Sequence, residues 1–150
     1  MFYILIILLI ITFEWKYKNY IEAAYDFKRQ ESRFGNFIKL RKYHNPGAFL
    51  NIMQHKKKLL HAISIGFTFV IALVFLFTLG LKGNRVLKFG LALLLGGSFS
   101  NTYDRLSKNY VVDYFSFCTP WKKFNQIVFN ISDFCILIGT LLVVLKTEHF

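Results

Sequence analysis

Four apolar runs divide the chain: Phe2 to Phe13, Leu59 to Leu81, Val86 to Ser100 and Ile127 to Leu145. The second and fourth approach the roughly 20 residues of helix that a bilayer core requires. The first extends through Tyr17, Tyr20 and Ile21 if Glu14, Lys16 and Lys18 face protein, water or headgroups, and the third continues helically through Asn101 toward Arg105. The pattern predicts a single polytopic membrane domain, mainly α, with transmembrane helices near 2–21, 59–81, 86–104 and 127–145. Outside them lie an extramembrane subdomain at 22–58 and a loop at 106–126.

The connections sharpen this picture. Lys82-Gly83-Asn84-Arg85 is a tight turn that makes the second and third helices antiparallel neighbours. Gly90, Gly96 and Gly97 offer small surfaces for close helix contact. In the first loop, Phe37 to Tyr43 alternates enough for a strand or two, while Pro120 and Trp121 mark a turn beside an interfacial aromatic anchor in the third. With four crossings the first and third loops share one side of the membrane, whichever way the chain inserts. The notable polar residues collect there: Asn45 from the first loop, Asn101, Asp104, Arg105 and Asp113 from the third helix and its loop. Asp133 joins them from about two turns into the fourth helix.

Composition agrees: 55% of the 150 residues are hydrophobic and 19% aromatic. A formal charge of +11 would by itself suggest nucleic acid, but with these apolar runs the partners it implies are anionic lipid headgroups. Cys135 lies inside an apolar run, so Cys118 and Cys135 are read as free thiols. No Lys or Arg precedes the first run and no small-residue cleavage pattern follows it before Glu14 and Trp15, so a removable signal peptide is not expected.

Asp133 is the strongest chemical signal, because an ionisable side chain in a membrane helix is costly unless it is paired or faces water. The plainer role is a polar contact that fixes helix packing. Asn130, three residues earlier, shares its helical face. Asp113 stands between Val111-Val112 and Tyr114-Phe115, an apolar setting that disfavours ionisation, and its plainer role is a turn or cap. If the two aspartates face each other, repulsion splits their titrations and leaves one protonated and one ionised. An aspartic protease requires that state. Asp104 with Arg105 reads first as a structural charge network, whereas Asn101 and Arg105, at i and i+4, share a face that suits a substrate backbone or a carboxylate. The spacing of His44, His55 and His61 recommends no metal site, and neither a phosphate loop nor a serine nucleophile motif is present. A transporter using Asp133 as an ion site would call for repeated halves or broken-helix pairs.

Taken together the chain resembles the lipoprotein signal peptidase (signal peptidase II) family. Four parts match in order: Glu14-Trp15-Lys16-Tyr17-Lys18; Asn45-Pro46-Gly47-Ala48-Phe49; Gly96-Gly97-Ser98 through Asn101-Thr102-Tyr103-Asp104-Arg105 to Val112-Asp113-Tyr114-Phe115; and Phe129-Asn130-Ile131-Ser132-Asp133. The resemblance implies that Asp113 and Asp133 are the catalytic pair, that Asn45, Asn101, Arg105 and Asn130 surround the substrate, and that Asp104 supports them. It implies four transmembrane helices, a small extracytoplasmic β-cradle between helices 1 and 2, and both termini in the cytoplasm of a bacterium. The implied substrates are prolipoproteins cut before a diacylglyceryl-modified cysteine, by a monomer without cofactor or metal, with membrane lipid against the apolar walls.

Three departures stand out. The first motif usually reads DQxxK, and only Lys18 is retained; the second usually has two alanines before its aromatic, but Ala48 is followed directly by Phe49; Ser132 stands where alanine is usual. They motivate a second reading, a catalytically silent relative that binds lipoprotein signal helices or serves as an accessory subunit. Orientation adds a tension: the side with loops one and three carries fifteen Lys and Arg against four opposite, which by the positive-inside rule points inward where the family points outward.

Overall fold

The computed structural model describes residues 1–47 and 56–147; Ala48 and Phe49 of the second motif lie outside the described residues. Four helices, α1 (Phe2–Ala24), α2 (Lys57–Leu79), α3 (Arg85–Lys108) and α4 (Ile131–Thr147), carry a small antiparallel sheet of β1 (Gln30–Arg33), β2 (Ile38–Asn45) and β3 (Val111–Phe117) in the order β1-β2-β3.

α3 is the central helix, with α1, α2 and α4 packed around it. Its composition explains why. A methyl group at Gly96 would lie 3.0 Å from the Ile10 side chain of α1, and one at Gly97 would lie 2.6 Å from the Ser132 carbonyl of α4. Glycine at 97 thus lets the backbones of α3 and α4 meet where α4 begins. On the α2 side the buried positions Leu60, Thr68, Ile71, Phe75 and Thr78 form one helical stripe, and Thr68 and Thr102 share a 2.9 Å hydroxyl hydrogen bond. Gly83 and Asn84 at the α2–α3 turn both take positive φ, 80° and 50°, which reverses the chain in few residues.

The outward faces of the helices are apolar. α2 is long and apolar enough to cross a membrane, and only 17% of that stretch is buried. A core helix of a water-soluble protein would be mostly covered; this one presents Phe67, Phe69, Phe77 and Leu76 outward, a surface suited to lipid.

Sequence periodicity places the sheet between helices 1 and 2, but its third strand comes from the segment after α3. β3 pairs with β2 in a register that sets Tyr43 opposite Asp113 and Asn45 opposite Val111. Alternation then sends Val112 and Tyr114 toward Ile21 and Tyr25 of α1, into a buried cluster. α4 begins at Ile131, not near 127. The backbone of Phe129 is already committed to β3, donating to Phe115 O at 2.7 Å and accepting from Tyr114 N at 2.9 Å, so the chain turns helical only after Asn130. α3 runs past 104 to Lys108 and stops at Asn109 in the left-handed conformation, φ 66°. Both cysteines are free.

Candidate active site

The first turn of α4 decides the geometry. Asn130 is its N-cap: its side-chain oxygen accepts the Asp133 N–H at 2.9 Å, while its own N–H donates to Asp133 Oδ2 at 3.0 Å. This reciprocal pair is a capping box with an aspartate in the usual glutamate position. Asp133 therefore sits one turn from the helix start rather than two, and Asn130 flanks the helix instead of sharing its face. Burial drives the arrangement, because the opening N–H groups of a buried helix end need partners inside the protein.

Asp133 Oδ1 accepts Asn101 Nδ2 at 3.0 Å. On the facing strand, Asp113 accepts Asn130 Nδ2 at 2.7 Å and Asn45 Nδ2 at 2.9 Å, one on each oxygen. The Asn45 amide is fixed in turn because its oxygen accepts the Gly47 N–H at 3.2 Å. Asn130 Nδ2 also reaches Asn101 Oδ1 at 3.2 Å, so amides from two helices join the two carboxylates. Burial above all, then the neighbouring charge of Asp133, raises the Asp113 carboxyl well above its ordinary range, against the opposing pull of the Asn45 and Asn130 amides.

Asp113, Asp133, Asn45, Asn101 and Arg105 line one polar cleft of about 280 Å³. Among the described residues Arg105 Nε has no hydrogen-bond partner, although it is buried. A second, apolar cavity of about 540 Å³ is walled by Phe117, Phe124, Phe129, Phe134 and Leu137. Asp133 and Phe129 line both, so the carboxylate stands where polar cleft and aromatic cavity meet.

Asp104 belongs elsewhere. It turns away from Arg105 and the cleft, toward Lys18 Nζ at 3.1 Å and Lys108 Nζ at 3.1 Å, and it accepts the Val112 N–H at 3.2 Å. Lys18 is fully buried and also donates to Ser100 Oγ and Asn101 Oδ1, both at 3.0 Å. Glu14, one turn before Lys18, is fully buried as well; it accepts the Tyr114 hydroxyl at 2.5 Å, Ser132 Oγ at 2.7 Å and Ser132 N–H at 3.2 Å. The Tyr114 oxygen accepts the Ile131 N–H at 3.0 Å, and burial beside Glu14 keeps its phenol protonated far beyond the usual range. Lys18, Tyr114 and Ser132 escape the site residues expected from sequence. The available signal was Glu14 and Lys18 at i and i+4 inside an apolar helix, a pair that must be buried together.

Buried carboxylates held by amides at the end of a helical bundle, with lipid-suited outer faces, define a membrane enzyme architecture. In fold the chain is similar to a bacterial membrane enzyme solved by the in meso method at 2.3 Å, with a TM-score of 0.83 and 22% identity over 98% of this chain and 87% of that one. A second such structure, at 1.9 Å, gives a TM-score of 0.79 and 22% identity, covering 97% and 91%. The family model for signal peptidase (SPase) II matches residues 6–148, and the chain belongs to that family, whose members are membrane proteases. Its relatives include the lipoprotein signal peptidase of Lactobacillus johnsonii, 32% identical over 94% of this chain and 88% of the relative. That of Moorella thermoacetica is 30% identical over 93% and 88%.

Proposed function

We propose that this chain is an aspartic endopeptidase that removes the signal peptide of prolipoproteins before a diacylglyceryl-modified cysteine, with Asp113 and Asp133 as the catalytic dyad. The observation that carries the reading is the position of Asp133, shared between a polar cleft that holds the second aspartate and an aromatic cavity suited to apolar substrate groups.

Each aspartate accepts two N–H groups, but Asp133 is the better provided for negative charge because it alone also faces the positive end of a helix. Asp113, in a strand, retains its proton. Asp133 takes a proton from water as the water oxygen attacks the scissile carbonyl, and Asp113 donates to the developing oxyanion. Collapse of the tetrahedral intermediate breaks the C–N bond, the amine leaves with the proton held by Asp133, and the oxyanion proton returns to Asp113. Arg105, Asn101 and Asn45 line the cleft and orient the substrate backbone. The chain then spans the membrane four times in a bacterial cytoplasmic membrane, with termini inside and the cleft outside. Of the fifteen Lys and Arg on the cleft side, four (Arg33, Lys39, Arg41 and Lys42) lie in the sheet and six in helices α1, α2 and α3, which leaves five in connecting segments and weakens the topological weight of the excess.

A gel-shift assay with purified protein in detergent and a diacylglyceryl-modified prolipoprotein tests this. Cleavage by the wild type and none by Asp133→Asn, with the variant folded, is the expected result. If neither cleaves while a standard lipoprotein signal peptidase does so in parallel, the proposal is overturned and the silent relative takes its place.

A further inference from the structure

Glu14 is a buried carboxylate that the proposed reaction does not use. It comes from α1, yet both its oxygens are spent on the segments that carry the two aspartates. Oε1 accepts from Tyr114, which follows Asp113, and Oε2 accepts from the hydroxyl and backbone N–H of Ser132, which precedes Asp133. Through the Tyr114 oxygen the same unit also receives the Ile131 N–H. The first three N–H groups of α4 are thus satisfied by Tyr114, Glu14 and Asn130 in turn.

Two of the sequence departures meet here. Where the family motifs usually carry an aspartate and an alanine, this chain has Glu14 and Ser132, and the two side chains are bonded at 2.7 Å. An aspartate at 14 would draw the carboxylate back by one methylene, about 1.5 Å, out of reach of a hydroxyl held on α4. An alanine at 132 would remove the shortest contact of one lobe of the carboxylate and leave it the Ser132 N–H at 3.2 Å and the Lys18 ammonium at 3.5 Å. The Ser132 backbone has little room to move toward α3 in compensation, because its carbonyl lies close against Gly97.

We propose that Glu14 and Ser132 are a matched pair of positioning residues that fix Asp133, and through Tyr114 also Asp113, at their working separation. The inference rests on the reading of those aspartates as the dyad. Neither Glu14 nor Ser132 touches the cleft; they act through the elements that bear the carboxylates.

The test compares wild type, Ser132→Ala, Glu14→Asp and the double variant for kcat, KM, Tm and amide exchange in the first turn of α4. Each single variant should lower kcat about tenfold or more, as expected for a reacting group displaced by a fraction of an ångström, with KM unchanged. The double variant should be no slower than Glu14→Asp alone, since the hydroxyl acts only through the longer acid. Amide exchange at Ser132 and Asp133 should accelerate with the same non-additivity. Losses that multiply, or variants that shift Tm alone and leave kcat intact, overturn the pairing. A wild type that does not cleave would count against the peptidase reading, and the exchange measurements would then decide the pairing by themselves.

Discussion

Lys18 Nζ lies 3.0 Å from Asn101 Oδ1, and this contact decides which way the Asn101 amide faces. An ammonium can only donate, so the oxygen turns to Lys18 and the NH₂ turns to Asp133. A charge on α1 thereby sets a hydrogen bond on the carboxylate of α4, with α3 as carrier.

Removing that charge should cost stability first. Lys18 Nζ lies 3.5 Å from Glu14 Oε2 as well as 3.1 Å from Asp104, so Lys18→Met leaves both carboxylates buried without their common cation, and breaking a buried ion pair from one side costs about 3–5 kcal/mol. Thermal unfolding in detergent should show a clear fall in Tm, together with loss of cleavage in the protein that remains folded. A variant as stable as wild type would mean that the two carboxylates are protonated or solvated and that the network is not held by charge.

Asp113 predicts a pH dependence. Its folded carboxyl titrates well above the ordinary value of 3.8, so the folded protein keeps a proton that the unfolded chain has already lost. The stability this group contributes is present in full below that ordinary value and is lost as pH rises through the folded value. Asp113→Asn has no proton to lose, so its Tm should gain on wild type as pH is raised from about 4 toward neutrality. Cleavage by wild type should fall on the alkaline side as the donor ionises, and a Tm difference independent of pH would show that Asp113 is charged throughout.

Helix contact supplies the last prediction. Gly97→Ala places a methyl group 2.6 Å from the Ser132 carbonyl, whereas Gly139→Ala meets Gly90 O at the same distance deeper in the α3–α4 interface. Overpacking should cost each variant about 1–3 kcal/mol. Only Gly97→Ala should also depress kcat strongly, because only there does the strain fall on the residue before Asp133. Equal kcat values for the two at matched stability would show that the α3–α4 spacing does not govern the site.

Much of the fold is legible in the sequence because apolar runs and a short polar turn speak directly of helices packed side by side. The sheet is less so: β2 shows its alternation, but β3 is buried along nearly its whole length and reads as part of a mixed loop. The aspartates and amides named from motifs do gather around one cleft, apart from Asp104, whose partners Lys18 and Lys108 are invisible to nearest-neighbour reasoning along the chain. Contacts such as Glu14 with Ser132 span more than a hundred positions, and no local pattern encodes them. The start of α4 was recoverable, since Asn130-x-x-Asp133 is itself a capping signal; the apolar residues before it pointed to an earlier start because a buried strand-like bridge and a buried helix look alike in composition.

The cap on α4 also imposes an order of events on the growing chain. Its opening N–H groups bond to Tyr114 and Glu14, which both precede it in the chain, so the first turn of α4 closes onto partners synthesised before it. Until that docking, Asp113 has no partner aspartate. The two aspartates of the proposed dyad therefore come together only when the fourth helix is seated against α1 and β3.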